Sequence, residues 1–448
     1  LVSTAENKNR FVKNLACRIA LVLSICLLQI PLDAAYAEKY EDSTGAPVIW
    51  AIKVVGNRVT SAELIRREMT LKPGMAADRE TIDDNRLHLM SLGLFNYVAI
   101  SLASDQGRAV AIVKVTEKLY VYPFPIFDYD PLEPKRRIFG VRFIHDNFRG
   151  AGERLNLAWW DGYQRGMSFL HRDPWFSIRG LYGVRLMGLV NEREIKDPNS
   201  GEYVKTKTEL LLTRIKRRIS RRAWLGLEFQ WEERSSKAQF YTLAGKGRDK
   251  LTVGRIIFED NIRDYIYYPT EGYYIAVAVE GNRMVDTTYS FFRQQVDIRA
   301  YRPLSGVILA GRLWLENSRG ALPYYRRLEL TTNEVRSDEA AGLLGTTTAA
   351  LNIELRFNIL PLTYISLPDW YLIGPYVKNL KFSLEGLLFV DRGWVRRSPP
   401  LPAKHLTAGG AGVQFQLPYV ETARILAGWG GNDKLLTPLL ILGVNVTF

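Results

Sequence analysis

Leu351-Asn352-Ile353-Glu354-Leu355-Arg356-Phe357-Asn358-Ile359 alternates without a break, with the apolar residues on one parity and Asn352, Glu354, Arg356 and Asn358 on the other. A period of two marks an extended strand with one greasy and one polar face. Two environments satisfy it. In a soluble sandwich the greasy face is core and the polar face meets water; in a membrane barrel the greasy face meets lipid and the polar face lines the lumen. Periodicity is the same in both.

The alternation runs from Leu119 to the end of the chain. Strand starts fall near Leu119, Arg137, Gly152, Arg165, Phe176, Tyr203, Arg222, Lys250, Glu271, Thr288, Ser305, Thr346, Asn379, Thr407, Thr422 and Thr437, 16 in all. Closed single-chain bacterial barrels require an even number. The last strand ends on the last residue, with Leu440, Leu442, Val444, Val446 and Phe448 on one face. A terminal Phe in that position resembles the assembly signal of outer-membrane barrels. Trp159-Trp160, Trp175, Tyr265-Ile266-Tyr267-Tyr268, Tyr324-Tyr325 and Trp370-Tyr371 cluster near strand ends, where the interfacial girdles of a barrel lie.

Composition narrows the class. The chain has 448 residues, 47% of them hydrophobic, yet its mean hydropathy is −0.11, which excludes a helical membrane bundle. Aromatic residues at 12% against 24% charged exclude a disordered chain. The first 37 residues read as an export signal: Lys8, Arg10, Lys13 and Arg18 precede an apolar core from Ile19 to Ile30, and Ala35-Tyr36-Ala37 offers a small-x-small cleavage site. Cleavage there removes Cys17 and Cys26, the 2 cysteines of the chain, and with them any disulfide or thiolate chemistry. The net charge of +13 comes without a run of five Lys or Arg. In an exported chain its counter-charge is expected to be phosphate-rich lipid headgroups, and no nucleic-acid partner is expected.

After a polar linker (38–47), residues 48–118 differ from the strand-rich remainder of the chain. Ile52 to Val55 form a strand closed by Gly56-Asn57, and Thr60-x-x-Glu63 reads as a capping box for a helix from Ser61 to Met69. A second helix from Arg79 to Leu92 carries Ile82, Leu89 and Met90 on one stripe, with Gly93 as its C′ residue. Strands Phe95 to Leu102 and Val110 to Thr116 come next, joined around Asp105-Gln106-Gly107. The expected fold class is therefore mainly β: a 16-stranded antiparallel transmembrane β-barrel (119–448) preceded by a small α+β domain of order β-α-α-β-β (48–118).

With its VVGN strand and its LGLFNYVAI crossing, the small domain resembles a POTRA domain. In that family the domain lies in the periplasm and captures extended chains or scaffold partners at a sheet edge, here taken as Val110 to Val115. Four barrel segments resemble the BamA/TamA-type outer-membrane superfamily, also called bacterial surface antigens. They are DNFRGAGERLNL (146–157), DPWF (173–176), DNIRDYIYYPTEGYYIAV (260–277) and FVDRGWV (389–395), in the family's order. The motif residues are Asn147, Gly150 and Gly152, then Asp260, Arg263, Asp264, Pro269 and Gly272, then Asp391 and Gly393. By their residue types, Gly150, Gly152, Pro269 and Gly272 suit turns, and Gly393 leaves a gap in the lumen wall where another chain segment can approach.

A long segment separates the strand ending near Glu316 from the one starting near Thr346. Loops of that length without structure of their own are usually functional or disordered. The resemblance implies that it folds into the lumen and is pinned by an arginine at its tip. The matching segment is Val335-Arg336-Ser337-Asp338, with Ser and Asp where the family has Gly and an aromatic. The implied latch pairs Arg336 with Asp391, with Glu354 and Arg356 nearby.

Three classes of function are open to such a chain. A machine component would receive unfolded or nascent exported proteins at the POTRA-like domain, with a periplasmic chaperone or scaffold at its edge. It would insert them into the outer membrane, among outer-membrane lipid and lipopolysaccharide, or pass them across. A passive pore or lipid-handling barrel is the alternative. The third class, a hydrolase, finds no support: His88, His145, His171 and His405 have no metal spacing and no Gly-x-Ser-x-Gly elbow occurs. No catalytic residue, metal or cofactor is expected. Pro123 and Pro125 in the first barrel strand cannot donate to a ladder, which would weaken the closing seam.

Overall fold

The computed structural model describes residues 45–129, 136–176, 181–197, 200–238, 240–244, 246–337, 343–368, 374–397, 401–418, 422–432 and 435–444. The expected leader (1–37), Asp338, Trp370-Tyr371 and Phe448 lie outside them.

The small domain comprises β1 (Ile49–Val55), α1 (Ala62–Glu68), α2 (Arg79–Ser91), β2 (Phe95–Asp105) and β3 (Arg108–Glu117). Its sheet order is β1-β3-β2, with β3 parallel to β1 and antiparallel to β2. Val110 to Val115 therefore lie on the central strand, and the expected partner edge must instead be β1 or β2. The long α1-α2 crossover is the cause: it returns the chain to β2, and the next tight hairpin lays β3 between the two earlier strands. That hairpin holds Gln106 and Gly107 at φ 50° and 78°, as a two-residue turn requires. The cap of α1 is also corrected. Ser61, not Thr60, accepts from the Leu64 N–H at 3.1 Å. Thr60 is engaged elsewhere, its N–H donating to Glu117 at 2.7 Å. Leu64, Ile65, Leu89, Phe95 and Val113 are buried in the core beneath the sheet.

The remaining strands form one sheet. They are β4 (Val121–Tyr129), β5 (Arg137–Phe148), β6 (Glu153–Gly162), β7 (Gln164–Asp173), β8 (Tyr182–Lys196), β9 (Tyr203–Arg218), β10 (Ala223–Ser236), β11 (Arg248–Asn261), β12 (Gly272–Met284), β13 (Ser290–Leu304) and β14 (Val307–Gly320). A two-residue hairpin, β15 (Leu328–Glu329) with β16 (Leu344–Gly345), interrupts the series. It resumes with β17 (Thr347–Ile365), β18 (Leu380–Arg396), β19 (Lys404–Gln416), β20 (Ala423–Asn432) and β21 (Leu435–Val444). The sheet is 16-stranded and each strand pairs with its chain neighbour, β14 joining β17 across the inserted segment.

The burial of β17 decides between the two environments that its alternation allows. Leu351, Ile353, Leu355 and Phe357 are 48, 44, 40 and 40% exposed, whereas Asn352, Glu354 and Arg356 are 3, 0 and 1% exposed. The polarity is inverted relative to a soluble protein. An apolar exterior around a polar interior is the arrangement a barrel needs in lipid, where every outward side chain meets hydrocarbon. The pattern breaks at Asn358, which is exposed, where the register with β18 shifts.

The small domain packs on one end of the barrel, its proximal end, and touches five of the turns there. Ser61 N–H donates to the Gly150 carbonyl at 3.0 Å in the β5–β6 turn. After β7, Trp175 lies under the Arg67 guanidinium at 4.1 Å. Arg221 and Arg222 of the β9–β10 turn both bond Asp84. Between β11 and β12, Ile266 N–H donates to Ser91 at 3.3 Å. Asn96 donates to the Tyr376 carbonyl at 2.7 Å between β17 and β18.

This docking corrects the girdle expectation. Trp175, Tyr265, Tyr267 and Tyr268 pack against the small domain's core, and Tyr324 and Tyr325 pack on Tyr241. They belong to segments that turn over the barrel ends instead of continuing along the wall. Trp159 faces outward, 51% exposed on the outer wall.

Candidate functional site: a loop pinned in the lumen

The segment between β14 and β17 is not structureless. A 3-10 turn at Tyr324–Arg326 and the β15–β16 hairpin shape it. Its base is tied to the wall: Tyr325 Oη donates to Asp249 at 2.8 Å, Arg326 pairs with Glu232 on β10, and Arg293 donates to the Arg326 carbonyl at 2.8 Å. Glu334 then caps a turn by accepting from the Thr331 N–H and hydroxyl at 2.9 and 2.6 Å, while Val335 N–H returns to the Thr331 carbonyl at 3.0 Å. That turn presents Val335 and Arg336 to β18.

Arg336 grips Asp391 on β18 three times. Nε donates to Oδ2 at 2.7 Å, Nη2 to Oδ1 at 2.6 Å, and the backbone N–H to Oδ2 at 3.0 Å. Its remaining Nη1 reaches Glu354 on β17 at 2.6 Å, and the guanidinium lies 4.0 Å from the Phe389 ring centre. The paired bidentate geometry is the strong form of an arginine-carboxylate contact. Glu354 also accepts from Arg356 at 2.8 Å and from Arg424 of β20 at 3.0 Å. Asn352 donates to Asp391 and to the Glu334 carbonyl, both at 2.8 Å. Three guanidiniums and two carboxylates thus share one water-poor cluster, in which each charge is compensated by hydrogen bonds and opposite charge together.

Gly393 is the steric half of this contact. A Cβ there would stand 2.5 Å from Val335 Cγ2 and 2.9 Å from Leu330 Cδ1. Val335 and Leu330 are fully buried with Phe389, Val395 and Leu406 around them. Ser337, in the family's glycine position, is buried and donates its N–H to the Val335 carbonyl at 2.7 Å.

Arg336, Asp391, Glu354 and Arg356 are thus brought together. Sequence reasoning missed Arg424 and Asn352. Arg424 sits at lumen parity, directly across from Gln414 of β19, and a lone arginine on the polar face of a late strand was the available signal.

The other motif residues serve the proximal end. Asn147 is buried, accepting from Gly152 N–H at 2.8 Å and donating to Thr60 of the small domain at 2.9 Å. Gly150 has φ +69°, and a side chain there would collide with the Val59 carbonyl oxygen. Gly152 has φ +71°. Asp264 organises its turn by accepting from Thr270 N–H at 3.0 Å and the Thr270 hydroxyl at 2.6 Å. Pro269 is buried within that turn, and Gly272 closes it at φ +97°. Arg263 donates to Asn261 at 2.8 Å, and Asp260 accepts from Tyr273 Oη at 3.4 Å.

One acid of the small domain completes the docking. Buried Glu68 accepts from His88 Nε2 at 3.0 Å and from Arg218 of β9 at 2.9 Å. Burial alone would raise its pKa, but the His88 hydrogen bond and the Arg218 charge outweigh burial and hold it below the ordinary carboxylate value. His88 is pushed the other way from a paired histidine: burial, helped by Arg221 and Arg218, holds its pKa below the usual value and keeps it neutral. His171 bonds Glu153 at 3.1 Å and His145 meets Phe148 edge to face, so both have structural partners.

A lipid-compatible sheet of this size, a loop pinned inside it and a small domain seated on one mouth define a plugged transmembrane β-barrel with a docking module. The Omp85 superfamily domain matches residues 147–365 and the POTRA model, a surface antigen variable number repeat, matches 47–118; the chain belongs to the Omp85 superfamily and carries a POTRA domain. Two solved structures share the fold. BamA from Haemophilus ducreyi lacking POTRA domains 1–3 aligns at TM-score 0.50 and 14% identity over 88% of this chain and 83% of that one. CdiB from Escherichia coli aligns at TM-score 0.55 and 13% identity over 89% of this chain and 75% of that one. No curated protein matches the chain.

Proposed function

We propose that this chain resides in the bacterial outer membrane, with the POTRA domain in the periplasm, and that it inserts unfolded exported polypeptides into that membrane or passes them across it. In this reading residues 1–37 are a leader, 38–47 a linker, 48–118 the POTRA unit and 119–448 the barrel.

The observation that carries the reading is the seam. β4 and β21 are the two ends of the strand order, and among the described residues neither pairs with the other. Pro123 and Pro125 sit in β4, opposite Phe143 and Val141 of β5; Pro438 sits in β21, opposite Trp429 of β20. A proline in a paired strand either turns its nitrogen from the partner or forfeits a rung, so prolines collect at edges. Having them in both closing strands supports a seam with few hydrogen bonds, which an incoming strand can open and template on.

A passive pore is the less favoured reading, because the loop held by Arg336 and the docked POTRA domain both stand in the path of an open channel. The experiment is photocrosslinking in intact cells from the two POTRA edges, at Trp50 of β1 and Ser104 of β2, with single-channel conductance measured in parallel. Nascent barrel proteins in the crosslinks support insertion, and one dedicated exported protein supports transport across the membrane. Steady conductance with no crosslinked polypeptide would sink the proposal in favour of a pore.

A further inference from the structure

Four adjacent strands place an arginine on the same rung. In direct register, Arg154 of β6 faces Arg172 of β7, Arg172 faces Arg185 of β8, and Arg185 faces Arg214 of β9. All four side chains line one chamber of about 440 Å³ between the barrel wall and the docked POTRA domain. Like charges directly opposite one another on neighbouring strands are destabilising, so such a rung needs negative charge beside it.

The protein pairs the two outer arginines of the rung directly. Arg154 pairs with Asp146 at 2.5 Å and Arg214 pairs with Glu228. The other carboxylates lining the chamber are engaged elsewhere: Glu259 by Lys216, Glu68 by Arg218, Asp84 by Arg221 and Arg222, Asp173 by the Trp175 N–H and Asp264 by Thr270. Among the described residues, the side chains of Arg172 and Arg185 make no hydrogen bond and no ion pair, their backbones being paired in the ladder. Two planar guanidinium forks, side by side and facing a half-open chamber, with Arg172 exposed to it, match a tetrahedral oxyanion with two negative charges, since each fork can bind two of its oxygens. The chamber's volume lies in the range of small-ligand sites.

We infer that Arg172 and Arg185 form a phosphate-binding site on the inner wall of the barrel, beside the docked POTRA domain. Both a phosphorylated lipid headgroup and free phosphate present this chemistry. The site stands independently of whether the protein inserts or transports polypeptides.

The test uses the full chain purified in a sugar-headgroup detergent, titrated calorimetrically with inorganic phosphate against chloride at matched ionic strength. Wild type is expected to bind one phosphate saturably. R172Q and R185Q are each expected to lose about tenfold or more, the scale of one charge-assisted bidentate contact. R165Q, which removes an exposed arginine paired with Glu192, is expected to bind as wild type. Heat-modifiable mobility reports folding; should either glutamine variant misfold, R172K and R185K keep the charge without the fork and are expected to bind weakly. Mass spectrometry of the organic extract separates the sources. A phosphorylated lipid that leaves with R172Q/R185Q identifies the headgroup, and phosphate binding without any such lipid identifies the free ion. Absence of saturable phosphate binding in wild type, or equal binding by folded variants at positions 172 and 185, overturns the site.

Discussion

Val335 fills the space that a side chain on residue 393 would need: its Cγ2 stands 2.5 Å from the place of a Cβ on Gly393. G393V is therefore expected to expel the loop tip from the wall, because overpacking a closed contact costs about 1–3 kcal/mol and the loop is the softer partner. Limited trypsin digestion of outer-membrane vesicles should then cleave after Arg336, which wild type protects. Unchanged protection would show that the wall yields instead.

The arginine latch is asymmetric, and that sets the pattern of its mutants. In R336A, Glu354 keeps Arg356 and Arg424, while Asp391 is left with the Asn352 amide as its donor in the cluster. Stranding a buried carboxylate in this way costs about 3–5 kcal/mol. R336A/D391N should recover a large part of that loss in urea-unfolding midpoints of the refolded barrel, a coupling read by the double-mutant cycle. The charge swap R336D/D391R should not recover it, since a carboxylate at position 336 would face Glu354. Full rescue by the swap would mean that Glu354 is no real partner of the loop.

Docking of the POTRA domain depends on a glycine. Residue 150 has φ +69° and abuts the Val59 carbonyl, so G150A is expected to separate the domain from the β5–β6 turn. Once residues 1–37 are removed the chain holds no cysteine, which makes an engineered pair at Asp84 and Arg222 a clean reporter. Crosslinking between these positions should fall several-fold in G150A relative to the same cysteine pair with Gly150, and equal crosslinking would show that the remaining turns suffice.

Acid should loosen the same interface. Glu68 has a folded pKa below its ordinary 4.5, so its contribution is complete above 4.5 and is lost as pH falls toward the lowered value. His88 is held neutral below its ordinary 6.5, so the free state binds the proton first and stability starts to fall as pH drops below 6.5. Both effects have the same sign. The Asp84–Arg222 crosslink should weaken in two stages on acidification, and H88Q should abolish the upper stage. A pH-independent crosslink would rule out this linkage.

Much of the architecture was legible because a strict period of two survives in lipid as well as in water. The strand starts near Arg137, Tyr203 and Thr346 could be read from it to within a residue. What periodicity could not convey is lateral order. Val110 to Val115 look like any amphipathic strand, and only the crossover of α1 and α2 places them in the centre of their sheet. Aromatic clusters misled for a related reason: a tyrosine near a strand end serves lipid or a docked domain equally well, and Tyr265 to Tyr268 serve the domain. Within the latch, Arg336 and Asp391 lay on recognisable motifs and Glu354 on the polar face of the alternating strand, whereas Arg424 joins through a barrel curvature that no local pattern encodes.

Glu354 is placed by β17, but its counterions arrive at different times in the chain. Arg336 precedes it, Arg356 shares its strand, and Arg424 comes 70 residues later on β20. An intermediate that has threaded the loop without the late strands therefore holds an acid short of one partner, in a lumen still open to water. Only when the penultimate strand joins is that deficit removed. Arg424 therefore ties the plug to the finishing of the wall, and R424Q is expected to lower the urea midpoint of the barrel and the trypsin protection of Arg336 together.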